Sequence, residues 1–455
     1  MYHKSTLAQL DKALSKLSEG FSELPPADTS SDERALEKIL LQVAERMQDN
    51  YPYFHPMYAG QMLKPPHDIA RLAYMLAMWI NPNNHALDGG RASSAMEKES
   101  VAEIAKMFGW EKHLGHLTSG GTFANLEALW VAGQIHPKKI IVASDLAHYT
   151  HERISHVLGL KFKKVATDKS GKMDLNKLES ILKTGKVGTV VATLGTTGIG
   201  STDDLKGILA LKAQYDFRIH IDAAYGGYFR LAQNLSPETL ETYSLTQEAD
   251  SIVVDPHKHG LQPYGCGCIV FKNPEVGRYY KHSSPYTYFS SDELHLGEIS
   301  LECSRAGAAA VGLWATMQMF PLVKGGEFAR NLEKSREAAI KLYQKIGEHS
   351  DFIPLLEPEL DIVCWAVKGK SISEINAKSK LLFERAAEKN LHLALLNYPV
   401  KKLQKHWDTI QKDEEYITCL RSCLMKTEHL EWVDRIWEIL VVLMKELGLT
   451  TKSVI

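Results

Sequence analysis

Excess charge of either sign is missing from this 455-residue sequence: Lys and Arg number 53 against 55 Asp and Glu, a formal net charge of −2. With no positive surplus to neutralise phosphates, neither nucleic acid nor an anionic membrane surface is implied as a partner. Cysteine is scarce. The six thiols, at positions 266, 268, 303, 364, 419 and 423, lie far apart or in close pairs, which favours free thiols in a reducing cytoplasm over a disulfide framework. Cys266 and Cys268 are read as small buried side chains, because no Cys or His pair at zinc spacing accompanies them, and no metal is expected. Long apolar runs are few. The N-terminus places Leu7, Leu10, Leu14 and Leu17 at helical spacing between polar residues, an amphipathic helix without the unbroken apolar core of a signal peptide. The uncharged stretch from Ala306 to Val323 is interrupted by Thr316, Gln318 and Pro321, so a helix buried in a large core is expected there instead of a membrane span.

What is present suffices for a sizeable core: 44% of the residues are hydrophobic and 24% charged, and the length suggests one large domain with satellites. No internal repeat or low-complexity tract interrupts it. The turn-rich Pro25-Pro26-Ala27-Asp28-Thr29-Ser30-Ser31 predicts a helix starting at Ser31 or Asp32, with Leu36, Ile39, Leu40, Val43 and Met47 on one side. From about residue 100 to 275, β-rich runs alternate with longer helical patterns: Ile140 to Ala143, Thr189 to Leu194, Arg218 to Ile221, Ser251 to Val254 and Cys268 to Phe271. That alternation predicts an α/β domain with a mostly parallel sheet. The polar helix Glu327 to Ile346, the strand-like Ile362 to Val367 and the closing helix Trp432 to Leu447 predict a smaller α+β domain. The expected division is an N-terminal helical segment over 1–75, a large domain over 76–325 and a small C-terminal domain over 326–455.

Ligands in such a sheet bind at the carboxyl ends of strands, and five places there carry polar residues. Thr118-Ser119-Gly120-Gly121-Thr122-Phe123-Ala124-Asn125 opens a helix with small residues, leaving backbone N–H groups for a phosphate, although a tight turn has the same look. Asp145-Leu146-Ala147-His148 offers a ring that can stack on a flat cofactor; His148, His151 and His156 lack the companion ligands of a metal site. Gly195-Thr196-Thr197-Gly198-Ile199-Gly200-Ser201 matches neither the dinucleotide fingerprint nor a P-loop. His220-Ile221-Asp222-Ala223-Ala224-Tyr225-Gly226 delivers one carboxylate to a strand end, where burial demands a partner such as a protonated ring nitrogen. Asp255-Pro256-His257-Lys258-His259-Gly260 presents a lysine able to form an imine. Singly, each has an ordinary structural explanation; as an ordered set after successive β-runs they do not look like coincidence.

On these motifs the sequence resembles the group II pyridoxal-phosphate decarboxylases of fold type I, which include aromatic amino acid, glutamate, tyrosine and cysteine-sulfinate decarboxylases. The resemblance spans roughly residues 50 to 370, with His55-Pro56-Met57-Tyr58 similar to the family's early substrate-side segment and Cys303-Ser304-Arg305 also in keeping. It implies pyridoxal 5'-phosphate held by Lys258 as a Schiff base, Asp222 on the pyridine nitrogen, and His148 stacked on the ring. Gly120, Gly121, Thr122 and His257 would surround the phosphate, with Thr196 near the ring substituents and Ala224 beneath the ring. His55, Tyr58 and Arg305 are the expected substrate contacts. Arg305 suits a carboxylate by its bidentate geometry, with a structural ion pair as the competing role. Tyr286 and Tyr288 are candidates to protonate the carbanion, or packing residues of a loop.

The expected reaction is decarboxylation of an L-amino acid to an amine and carbon dioxide, with a slight lean to an aromatic substrate from Tyr53, Phe54 and Tyr58. The expected protein is a cytoplasmic homodimer. The competing readings are a carbon–carbon lyase or aminotransferase on the same cofactor, an aldehyde-forming variant, a non-catalytic cofactor-binding protein, and a metal-dependent hydrolase built on His148, Asp222 and His257.

Overall fold

In the computed structural model, residues 4–27, 31–281 and 294–449 are described, and the apolar runs between 140 and 271 are neighbouring strands of one sheet. Its strands are β1 (Leu114–Thr118), β2 (Ile140–Ser144), β3 (Lys161–Val165), β4 (Val187–Thr193), β5 (Arg218–Asp222), β6 (Ser251–Val254) and β7 (Gly267–Phe271), in the order β1-β7-β6-β5-β4-β2-β3. All pairings are parallel except those of β7, which runs against both β1 and β6. β4 and β6 are buried at every residue, as strands covered on both faces must be, and this is why they read as continuous apolar runs. The register sets Thr193 of β4 opposite Asp222 of β5, and Asp222 opposite Val253 of β6, so three strand ends finish level.

Two strands escape the apolar pattern. β3, with the sequence KFKKV, is an edge strand whose lysines face solvent, a common way to keep an edge from pairing with another chain. β1 carries Gly115 and His116 in only five residues, too short and too polar to announce itself. Helix Gly121–Ile135 packs on β6 and β7. Helix Gly307–Met319 is wedged against helices Asp68–Met78 and Arg91–Met107, so the uncharged stretch is a buried helix. Among the described residues no helix is long and apolar enough to cross a membrane.

A second sheet, wholly antiparallel, contains β8 (Phe352–Pro354), β9 (Ile362–Val367), β10 (Ala394–Pro399) and β11 (Tyr416–Cys423) in the order β10-β11-β9-β8. Helices Glu327–Glu348, Ile372–Glu388 and His429–Glu446 pack on it and one another. Trp365, Leu420 and Ile436 belong to their shared core, which also takes in Met57 and Ala59 from the N-terminal segment. Cys364, Ala366 and Cys419 join the core around the seven-stranded sheet instead, and so fix the two sheets to each other.

The two N-terminal helices form where the spacing predicts, Lys4–Glu19 and Glu33–Met47, the second capped by Asp32, whose carboxylate accepts from the Arg34 and Ala35 amides at 3.1 and 3.0 Å. The first buries only Leu10 and the second buries nothing. Leu36, Ile39, Leu40, Val43 and Met47 are each half exposed or more.

Candidate active site

The level ends of β4, β5 and β6, with the turns after β1 and β2, enclose a cavity of about 400 Å³. Asp222 reaches it from β5 and is 5% exposed. One carboxylate oxygen lies 2.8 Å from His151 Nε2 and the other accepts the Ala224 amide at 3.1 Å. Burial pushes a carboxyl group toward its neutral form. Here the His151 hydrogen bond and field, the Ala224 amide and the charge of Lys258 outweigh burial and hold Asp222 well below the usual carboxylate range. His148, half-buried beside it, accepts the Thr150 amide on Nδ1 at 3.3 Å. Burial, aided by Lys258, lowers its pKa against the pull of Asp222, so the ring is neutral at pH 7.

Lys258 follows β6, its Nζ 2.9 Å from Asp255 Oδ2. His257 Nε2 stands 3.5 Å from that same oxygen, and burial lowers the pKa of this ring too. Asp255 Oδ1 and His257 Nδ1 are buried with no hydrogen-bond partner among the described residues, polar atoms left for something the cavity takes in.

The opposite wall is backbone. A Cβ on Gly121 would sit 2.6 Å from Asp255 Oδ2, and one on Gly267 would sit 2.5 Å from the Gly120 carbonyl carbon, so only glycines allow this approach. Gly120 itself has φ +156°. Phe123 and Ala124 donate to the Gly120 carbonyl, but the Gly121 and Thr122 amides at the start of helix Gly121–Ile135, beside the cavity, have no acceptor among the described residues, an arrangement that suits a phosphate. A phosphate cradle, an ionised buried carboxylate, a neutral imidazole and a lysine amine around one cavity fit pyridoxal phosphate in every part of its chemistry.

Residues 125–368 match the pyridoxal-dependent decarboxylase conserved domain. The chain belongs to the pyridoxal-dependent decarboxylase family. It is similar to the L-tyrosine decarboxylase of Enterococcus faecium, 27% identical with 82% of this chain and 79% of the relative covered. It is also similar to the L-aspartate/L-glutamate decarboxylase of Pyrococcus horikoshii, 25% identical with 76% and 88% covered. The fold is that of Oryza sativa TDC, solved with PLP and tryptamine, at a TM-score of 0.77 and 14% identity over 98% of this chain and 100% of that one. The protein is a pyridoxal-phosphate-dependent amino acid decarboxylase.

Of the residues singled out in the sequence, Gly120, Gly121, Thr122, His148, Asp222, Ala224, His257 and Lys258 line the decarboxylase cavity together. Thr196 does not. It is buried, its hydroxyl 2.8 Å from that of Ser201, and the next residue, Thr197, faces the cavity, because the positive φ of Gly195 turns the chain there. Arg305 is 8% exposed and is not part of the lining; its Nη2 is bonded to Glu97 and the Leu117 carbonyl, the ion pair weighed against a substrate contact, while Nη1 is buried with no hydrogen-bond partner among the described residues. His55 and Tyr58 are not among the residues lining this cavity. His55 stands edge-on to Trp432, and Tyr58 packs on Tyr53 and His392 beneath Lys426. Tyr286 and Tyr288 lie outside the described residues.

Sequence reasoning missed His151, Asp255 and Thr197 as members of the site. The demand of Asp222 for a ring nitrogen was the signal for His151, which stands one helical turn beyond His148. It also missed the support beneath: His220 on β5 spans Asn125 Oδ1 at 2.8 Å and Ser251 Oγ at 2.9 Å, and Asn125 donates to the Gly121 carbonyl at 2.8 Å.

Proposed function

We propose that the decarboxylase removes the α-carboxylate of an aromatic L-amino acid as carbon dioxide and releases the amine. The observation that carries the aromatic assignment is the charge of the cavity lining: among the described residues its only cation other than imidazole is Lys258. Arg305 lies outside this lining, its Nη2 bonded to Glu97 and the Leu117 carbonyl. Arg421 of β11 is spent on the carbonyls of Thr197 and Gly198 at 2.6 and 2.9 Å and on Gln61 at 3.1 Å. A substrate with a second carboxylate would find no free guanidinium here, whereas Phe123 and Tyr225 offer apolar surface.

Bound pyridoxal phosphate supplies the electron sink for the pair left at Cα when carbon dioxide departs. Lys258 provides the amine that carries the cofactor. Asp222, kept ionised by His151, would keep a proton on the pyridine nitrogen, and His148 and Ala224 would hold the ring. Gly120, Gly121, Thr122 and His257 would take the phosphate, and Thr197, which lines the cavity where Thr196 does not, would be available to the cofactor's ring substituents. Tyr286 and Tyr288 remain the proposed proton donors to Cα; retention of full turnover by Tyr286→Phe and Tyr288→Phe would remove that role.

The protein acts as a homodimer in this reading, supported by the uncovered apolar stripe of helix Glu33–Met47. A cytoplasmic location is supported by six unpaired cysteines, five of them buried.

The test is the visible spectrum of the protein with added pyridoxal phosphate, for wild type and Lys258→Ala, followed by carbon dioxide and amine assays on L-tyrosine, L-tryptophan, L-aspartate and L-glutamate. The expected result is an absorbance band that requires Lys258, with faster release from the aromatic pair. Faster release from the acidic pair would overturn the aromatic assignment.

A further inference from the structure

Successive residues of the lysine turn serve different spaces: Lys258 lines the catalytic cavity, and His259 lines a second cavity of about 380 Å³ between that turn and the starts of helices Glu327–Glu348 and His429–Glu446. The charges in this second cavity are sorted by depth. Lys64, His67 and His259 lie buried or half-buried, while Glu327, Lys334, Glu428 and Glu431 are exposed at the rim.

The Lys64 ammonium has three protons to donate and among the described residues makes one hydrogen bond, a long one of 3.3 Å to the Met425 carbonyl. Burial pushes its pKa down to about 8 in spite of Asp361 and Glu428. Lys426 brings a second ammonium close to it, held by the Tyr58 and Leu63 carbonyls at 2.7 and 3.3 Å. The nearby buried carboxylate, Asp361, accepts from the Tyr225 hydroxyl at 2.6 Å on one oxygen, while the other lies 3.2 Å from His259 Nε2 outside hydrogen-bond geometry. The floor therefore has an under-used cation and the rim has three carboxylates against one ammonium, Lys334, the reverse of the charge order in an inserted amino acid.

We propose that this cavity binds a small zwitterion of the amino acid or betaine class, carboxylate on Lys64 and ammonium toward Glu428 and Glu431, as an effector of the catalytic site. Its carboxylate joins the field around Asp361, which is bonded to Tyr225 in the catalytic wall and faces His259, the neighbour of Lys258. The inference does not depend on which amino acid is decarboxylated.

The experiment is a calorimetric titration of holoenzyme with trimethylglycine, which has no N–H and cannot form an imine with the cofactor. One saturable site per chain is expected, weakened about tenfold or more by Lys64→Met and by Glu428→Gln/Glu431→Gln together, and kept within a few-fold by Lys64→Arg. Saturating probe should change KM or kcat of the wild type and leave those of Lys64→Met unaltered. No saturable binding to wild type, or binding indifferent to Lys64→Met, overturns the site. Binding without any kinetic change overturns the effector role.

Discussion

Removing the His151 ring by His151→Ala should destabilise the protein before any cofactor is added, because it strips a buried carboxylate of its strongest partner. Asp222 lies 2.8 Å from His151 Nε2 and keeps one other close hydrogen bond, from the Ala224 amide. Breaking one side of such a buried pair costs about 3–5 kcal/mol. An unfolding entropy of about 2.1 cal/mol/K per residue over 455 residues makes this a fall of about 3–5 °C in Tm if the chain unfolds as one unit. Scanning calorimetry of the cofactor-free protein at pH 7 measures it. The sign with pH follows from Asp222, whose folded pKa lies below its ordinary value. The stabilisation is complete above about pH 4, the ordinary carboxylate pKa, and is lost as pH falls through the lower folded value. A cycle with Asp222→Leu and His151→Leu should give a coupling of about 1–3 kcal/mol. A Tm change below about 1 °C with His151→Ala, or a coupling near zero, would refute the view that His151 holds Asp222 ionised.

Gly121→Ala must displace the Asp255 carboxylate, whose two oxygens lie 2.6 and 2.8 Å from the added Cβ; at a cost of about 1–3 kcal/mol, absorbance titration should show weaker cofactor binding, while Gly347→Ala, with open space around it, should not. Lys426 has its pKa pushed down to about 7 by burial, from an ordinary 10.5. The unfolded chain then holds the extra proton between those values, so stability should rise with pH from about 7 toward 10. Urea midpoints at pH 7 and pH 9 should differ less in Lys426→Met than in wild type. Ile39→Glu with Leu40→Glu, on the bare face of helix Glu33–Met47, should give a monomer by light scattering with unchanged circular dichroism; an intact dimer would exclude that face from the interface.

What could be read directly were the features that local chemistry writes into short stretches. The central strands are apolar because both faces are covered, the helix from Glu33 begins at an Asp cap, and the glycines before Thr122 precede a helix. The edge strand KFKKV and the short β1 were not legible, since solvent and a brief pairing leave no apolar signature. Motif order was enough to propose the cofactor and its lysine.

Side-chain direction and partnership were decided only by tertiary structure. Whether Thr196 or Thr197 faces the cavity depends on the positive φ of Gly195, and whether Arg305 meets substrate or Glu97 depends on a residue about 200 positions away. His151 and Asp222 come from different β–α units and meet because β2, β4 and β5 lie side by side in one sheet. Sequence determines which groups are available and which backbone will carry them; long-range packing determines which of them meet, because no local pattern fixes the distance between elements far apart in the chain.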